Sequence, residues 1–239
     1  MSIEYEVKYI NINEKHVKNK LLELGATKVH DKIMLHRTVF YMCDPLTKGY
    51  VRVRNNGDNV TITTKTYQNP KFPEETEITI NESYEYGCKF IKSLGLIQKS
   101  VHESYREKWN HPLAHEITFD TITGLPTYME IDCTSEKNLN EMNNLLGLDK
   151  KNMRYGSYDK TFEEYYGIKS DVIAKIPSLT FANILNEITP TINKELLIKL
   201  SNMYNKDTKS SKKQVKNKVK KQSKKTSKKQ VKKTSKKNK

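Results

Sequence analysis

The chain has 239 residues, a formal charge of +15 and 35% hydrophobic content, enough for one core-burying domain and, on average, the profile of a basic protein that seeks nucleic acid. The average hides a division, because residues 206–239 hold 17 lysines against one acid, Asp207, so this tail carries +16 and the remainder is nearly neutral at −1. Three scattered cysteines without a Cys-x-x-Cys pair argue against a disulfide framework or structural zinc. The lack of any apolar run of about 18 residues, or of a signal-peptide pattern, leads us to expect an intracellular protein, cytoplasmic or nuclear, not secreted and with no membrane partner.

In chain order, alternating polar and apolar residues predict strands over 3–10, 35–42, 49–55, 59–67, 74–80, 101–109, 114–121 and 127–133. Three helices are predicted between them: 13–24, capped by Asn13 and stopped by Gly25; 81–94, stopped by Gly95; and 135–146, stopped by Gly147. Residues 171–205 read as two short helices, with Phe181, Ile184, Leu185 and Ile188, then Leu196, Leu197 and Leu200, at helical spacing and Pro177 and Pro190 as breaks. The tail, 206–239, repeats Lys-Lys doublets such as Lys224-Lys225. It has too little apolar surface to bury a core and is expected to be disordered, drawing RNA, DNA or polyphosphate electrostatically or serving as a nuclear-type basic signal. The resulting plan is a domain over 1–170, a helical extension over 171–205 and the basic tail.

The strands share an unusual polarity. Side chains two apart on a strand point the same way, roughly 7 Å from one to the next. One face therefore collects Glu4, Glu6 and Lys8; Arg52 and Arg54; Lys65; Glu75 and Glu77; Arg106 and Lys108; Glu116 and Asp120; Glu130 and Asp132. The opposite face collects Val51 and Val53, Val60 and Ile62, Ile78 and Ile80, Tyr105 and Trp109, Ile117 and Phe119, Met129 and Ile131. Helices need an apolar sheet surface to cover. The expected fold is therefore α+β: a closed eight-stranded antiparallel β-barrel, a tunnel with charge inside and helices packed outside.

Like charges about 6 Å apart at an effective dielectric near 20 repel by roughly 3 kcal/mol per pair. An interior rich in both signs suits a ligand that also carries both, and a polyphosphate with Mg²⁺ or Mn²⁺ meets that condition: guanidinium groups take the oxygens while carboxylates hold the cation. Other candidates read more plainly. His111 and His115 with Glu116 do not read as a metal-binding helix, because Pro112 lies between the histidines and 114–121 reads as strand; Trp109 and Tyr165-Tyr166 read as core or interface aromatics; Cys133, outward of Asp132, reads as a buried structural thiol.

The series Glu4-Tyr5-Glu6-Val7-Lys8, Arg52-Val53-Arg54, Thr64-Lys65, Glu75-x-Glu77, Arg106-Glu107-Lys108, Asp120 and Glu130-Ile131-Asp132 resembles the Glu-x-Glu-x-Lys signature and downstream order of CYTH domains. These are also called triphosphate tunnel metalloenzymes (adenylate cyclase–thiamine triphosphatase-like). The likeness spans about residues 1 to 170, departing at Asp132, where many relatives have Glu. It implies a metal-dependent triphosphatase acting on inorganic triphosphate, a nucleoside triphosphate, thiamine triphosphate or an RNA 5′ end; the alternatives are ATP cyclisation and a non-catalytic polyphosphate- or nucleic-acid-binding protein. By the same resemblance Glu4, Glu6, Glu130 and Asp132 would bind metal, and Lys8, Arg52, Arg54, Lys65, Arg106 and Lys108 would hold phosphates. Asp120, with Glu77 or Glu130, would bind a second metal or orient the attacking water, making Lys8, Asp120 and Glu130 the catalytic set.

Overall fold

The structure, a computed structural model, describes residues 2–3, 5–68 and 72–184. Glu4, most of the helical extension and the Lys-rich tail lie outside them. Each of the eight expected strands is found, the first as two pieces, β1 (Ser2–Ile3) and β2 (Tyr5–Tyr9). They are followed by β3 (Thr27–Phe40), β4 (Gly49–Asn55), β5 (Val60–Thr66), β6 (Glu74–Ile80), β7 (Gln98–His111), β8 (Ala114–Ile122) and β9 (Tyr128–Cys133), with two short additions, β10 (Met153–Arg154) and β11 (Ser178–Leu179). All belong to one curled sheet in the order β1-β6-β5-β4-β3-β7-β8-β9-β2-β10, with β11 parallel to β7 and every other pairing antiparallel. The N-terminal segment meets both ends of that order: Ile3 pairs with Glu74 of β6, while Tyr5 to Tyr9 pair with Cys133 to Met129 of β9.

The helices form where local caps start them. α1 (Glu14–Glu23) begins with the Asn13 side chain accepting from His16 N, α2 (Tyr84–Ser93) with Ser83 accepting from Tyr86 N, and α3 (Glu136–Leu146) with Ser135 accepting from Asn138 N. α2 starts three residues later than expected because Ser83, not Asn81, supplies the cap. On the outer face of the sheet, Val17 and Leu21 of α1 and Leu139, Met142 and Leu146 of α3 pack on Val7, Ile117, Phe119, Met129 and Ile131. Ile91 of α2 packs on Val51, Val53 and Val60. Each such side chain contributes about 1.5–3 kcal/mol by leaving water.

Three differences from the sequence expectation matter. β3 and β7 are 14 residues each, longer than expected, because they extend as a ribbon through bulges that interrupt the alternation between Lys28 and Ile33. Ile78, assigned to the buried face, is 56% exposed, since no helix covers β6 at that point. The segment after residue 155 packs on the sheet: α4 (Asp159–Tyr166), α5 (Ser170–Ile173) and β11 place Phe162, Tyr166, Ile173 and Leu179 in one cluster with Ile10, Ile122, Leu125 and Tyr128. Residues on both sides of position 170 therefore share a core. Among the described residues no helix is long and apolar enough to cross a membrane.

Candidate functional site

The inner face of the curl encloses a cavity of about 770 Å³. Its walls carry Glu6 and Lys8 from β2, Arg52 and Arg54 from β4, Lys65 from β5, Arg106 from β7, Asp120 from β8, and Glu130 and Asp132 from β9. These residues come together because each strand keeps charge on one parity while the other parity is held by the helices outside. Register completes the arrangement, setting Glu6 opposite Asp132, Lys8 opposite Glu130 and Arg106 opposite Asp120. Two expected residues stand apart. Lys108 is not in the lining and pairs with Glu116; Glu4 lies outside the described residues.

Seven cations and eight carboxylates line the cavity among the described residues, so the protein supplies much of the counter-charge that repulsion demands. Lys8 Nζ lies 2.8 Å from Glu130 and 3.4 Å from Glu6. Lys65 Nζ reaches Glu6 at 3.2 Å and Glu75 at 3.5 Å, tying β5 to β2 although the two stand far apart in the strand order. Arg52 reaches Glu77 at 3.2 Å and Glu75 at 3.4 Å. Arg106 is forked by Asp120, with Nε donating to Oδ1 at 2.8 Å and Nη2 to Oδ2 at 2.6 Å, and it also donates to Glu116 at 2.7 Å. Asp120 is 1% exposed and both its oxygens accept from Arg106. In this arrangement it positions the guanidinium rather than presenting a free carboxylate.

The pairing is incomplete at both signs. The Nε groups of Arg37, Arg52 and Arg54 are buried and meet no acceptor. Burial, with Arg52 and Arg106 nearby, pushes Arg54 down to about 9, still a charged guanidinium at neutral pH. On the acidic side, burial and then the charges of Glu6, Glu130 and Glu116 push the Asp132 carboxyl up to about 7. Glu130 goes the other way: burial raises it, but Lys8 and Arg106 prevail and hold it at about 2. Burial also opposes the Lys8 ammonium, and Glu130 and Glu6 reverse that and raise its pKa. Unpaired guanidinium hydrogens fit phosphate oxygens, and carboxylates crowded enough to resist ionisation fit a hard divalent cation. Among the described residues no group of three or more acid, histidine or thiol side chains stands in a metal-holding arrangement. Glu6, Glu130 and Asp132 are the neighbouring donors available.

Sequence reasoning missed several residues of this cavity. Arg37 enters from β3, His102 and Lys99 from β7 and its edge, Tyr50 from β4, and Tyr158 from the segment before α4. Arg37 was legible only as a single charge at the parity of Val39; its place between Arg54 and His102 depends on the β3–β4 and β3–β7 registers. His102 lies in polar sequence at the start of an expected strand. Of the plainer readings, Trp109 and Tyr166 are buried, Tyr165 is half-buried against the cluster that holds Tyr166, and Cys133 is a buried free thiol.

Comparison with known proteins gives the same outline. Among solved structures, the PH1012 protein of Pyrococcus horikoshii OT3 superposes with a TM-score of 0.54 at 21% identity, over 65% of this chain and 96% of that one. A candidate adenylate cyclase from Vibrio parahaemolyticus gives 0.57 at 12% identity, over 68% and 98%. At such identities the likeness is one of fold. No curated protein matches the chain in sequence. The CYTH domain model matches residues 2–155, a span that runs from the N-terminal strand past β10 and contains all of the strands walling the cavity but none of α4, α5 or β11. That match covers well over half of the chain, which therefore belongs to the CYTH domain family.

Proposed function

We propose that this protein is a divalent-metal-dependent triphosphatase whose curled sheet closes on its N-terminal segment into an eight-stranded tunnel. The observation that carries the reading is the double deficit in one cavity: buried arginine Nε groups without acceptors beside a carboxylate group in which Asp132 is pushed up to about 7. A triphosphate with Mg²⁺ or Mn²⁺ answers both at once. Arg52, Arg54, Lys65, Lys8 and Arg106 bind the phosphate oxygens, with Asp120 holding the Arg106 fork in place. Glu6, Glu130 and Asp132, together with Glu4, would hold the cation, which when bound withdraws charge from the transferred phosphoryl group and lowers the pKa of a bound water. Glu130, kept ionised beside Lys8, helps orient the water. Water adds to the terminal phosphorus, the bridging P–O bond breaks, and the remaining diphosphate end leaves. Lys108, off the lining, acts through Glu116 at most.

The test is a panel of inorganic triphosphate, nucleoside triphosphates, thiamine triphosphate and 5′-triphosphorylated RNA with Mg²⁺ or Mn²⁺, scored for both orthophosphate and pyrophosphate. Orthophosphate release that chelator abolishes supports the proposal. Pyrophosphate with cyclic AMP from ATP would establish a cyclase instead, and salt-sensitive binding without turnover would leave a binding protein. In this reading the Lys-rich tail, 206–239, raises the local concentration of polyanionic substrates such as RNA.

A further inference from the structure

At the end of the cavity flanked by residues 156–159, positive charge is left out of the central ion-pair network. Arg37 and Lys99 both line the cavity, and both lie near His102, which pairs with Arg37 across the β3–β7 ladder and is hydrogen-bonded to Tyr158. The Arg37 Nη2 group donates to the Ser104 hydroxyl at 2.6 Å, while its Nε is buried without an acceptor. Lys99 Nζ stands 5.8 Å from the centre of the Tyr41 ring. Among the described residues neither cation has a carboxylate at ion-pair distance, in contrast to Lys8, Lys65, Arg52 and Arg106, each of which has at least two. The acid at this end, Asp159, keeps one buried oxygen without a partner and forms no ion pair with either cation.

Between the cations lies a hydrogen-bonded row. His102 is 8% exposed, with Nδ1 2.7 Å from the Tyr158 hydroxyl and Nε2 2.7 Å from the Ser100 hydroxyl. Burial, then Arg37 and Lys99, push His102 down to about 3, so it stays neutral and adds no charge of its own. A neutral imidazole donates through one nitrogen and accepts through the other. Whichever tautomer is present, it accepts from one hydroxyl and donates to the other, leaving the second hydroxyl proton to donate elsewhere. The row therefore always offers one O–H donor beside two cations that have no ion-pair partner among the described residues. That combination matches a phosphate oxygen, which accepts from guanidinium, ammonium and hydroxyl alike.

We propose that Arg37 and Lys99, with one hydroxyl of the Ser100–Tyr158 pair, form a subsite for an additional phosphate beyond the three held centrally. The inference rests on the triphosphate reading and narrows it: the preferred substrate carries a further phosphate in line, as a longer linear polyphosphate or as the first phosphodiester after a 5′-triphosphate. These two sources share the phosphate chemistry that the subsite recognises and differ in whether a nucleoside separates the fourth phosphorus from the other three.

The experiment compares tripolyphosphate, tetrapolyphosphate and a 5′-triphosphorylated dinucleotide on the full chain and on Arg37→Gln and Lys99→Gln. Preference is read twice, as a kcat/KM ratio with Mg²⁺ and as a Kd ratio in chelator. The wild type should favour a four-phosphate ligand over tripolyphosphate, and each substitution should lower that preference by roughly tenfold, as expected for one charge-assisted hydrogen bond. A fall for tetrapolyphosphate alone identifies polyphosphate as the source, a fall for the dinucleotide alone identifies the oligonucleotide, and both support the subsite. Unchanged ratios in both variants overturn it. Lys99 is only partly buried, so its variant remains decisive if Arg37→Gln fails to fold. Ligands that bind but are never hydrolysed would end the hydrolase reading while the Kd ratios still decide the subsite; absence of binding to all three ends both.

Discussion

At the scale of single residues, the cavity is a set of charges whose value depends on what stands opposite. Arg52 keeps an unpaired Nε beside its two carboxylate contacts. Replacing it by Gln should lower kcat/KM for the triphosphate substrate by about 10²–10³, the usual cost of a lost electrostatic donor; a change under threefold would remove Arg52 from the phosphate-binding set. Glu6→Gln should lose most of the Mg²⁺- or Mn²⁺-stimulated rate, read from metal titrations of phosphate release, whereas an unshifted metal dependence would exclude Glu6 as a ligand. Buried titrating groups set the acid limit of the fold. His102 is held at about 3 against an ordinary 6.5, so the unfolded chain binds the extra proton between those values. Its contribution is fully present above pH 6.5 and is lost as pH falls toward 3. Glu130, held at about 2 against 4.5, contributes above pH 4.5 and is lost as pH falls through 2. Asp132, pushed up to about 7, acts the opposite way between pH 7 and pH 5, adding stability as pH falls, so His102 is read as a difference: over that range the wild-type urea midpoint should fall relative to that of His102→Gln. Parallel pH profiles in the two proteins would show that His102 does not contribute to that slope.

At the scale of elements, the site depends on close backbone approaches. A Cβ added to Gly49 would stand 2.3 Å from the Lys65 carbonyl oxygen, a distance that no side-chain motion relieves because the neighbour is backbone. Gly49→Ala should therefore spread β4 from β5, displace Lys65, and cost about 1–3 kcal/mol in urea unfolding along with activity; a variant as stable and active as the wild type would show that the strands yield freely. Helix caps are independent of the site. Ser83→Ala should cost about 1 kcal/mol by removing the acceptor for Tyr86 N, with kcat/KM unchanged, and loss of activity at full stability would contradict that separation. The same scale shows how much the sequence disclosed. Three helices were legible because Asn13, Ser135 and the terminal glycines Gly25, Gly95 and Gly147 mark their ends locally. The first turns of β3, and the placement of α4, α5 and β11, were not. Bulges break the two-residue alternation in β3, and the later elements are stabilised by packing on Ile10, Ile122 and Tyr128, partners more than thirty residues distant in the chain.

At the scale of the whole molecule, the charge of the chain divides between a nearly neutral domain and a tail of +16. Deleting 206–239 should raise the apparent KM for 5′-triphosphorylated RNA several-fold at low salt and leave that for inorganic triphosphate within about twofold, because only the longer polyanion gains from counterion release along the tail. Equal effects on both substrates would remove the recruitment role. Within the domain, which side chains share the interior was set by the sequence alone, since strand parity is a local property and Glu6, Lys8, Arg52, Arg54, Lys65, Arg106, Asp120, Glu130 and Asp132 all obey it. Which of them face one another, and which outsiders join them, was decided only by tertiary structure. Arg37, Lys99, His102 and Tyr158 reach the cavity through strand register and through the folding back of residues 156–174. Lys108 pairs with Glu116, which lines the cavity, but is not itself in the lining. The physical reason is that alternation acts between residues two apart, whereas register and closure depend on contacts between segments whose separation along the chain carries no periodic mark.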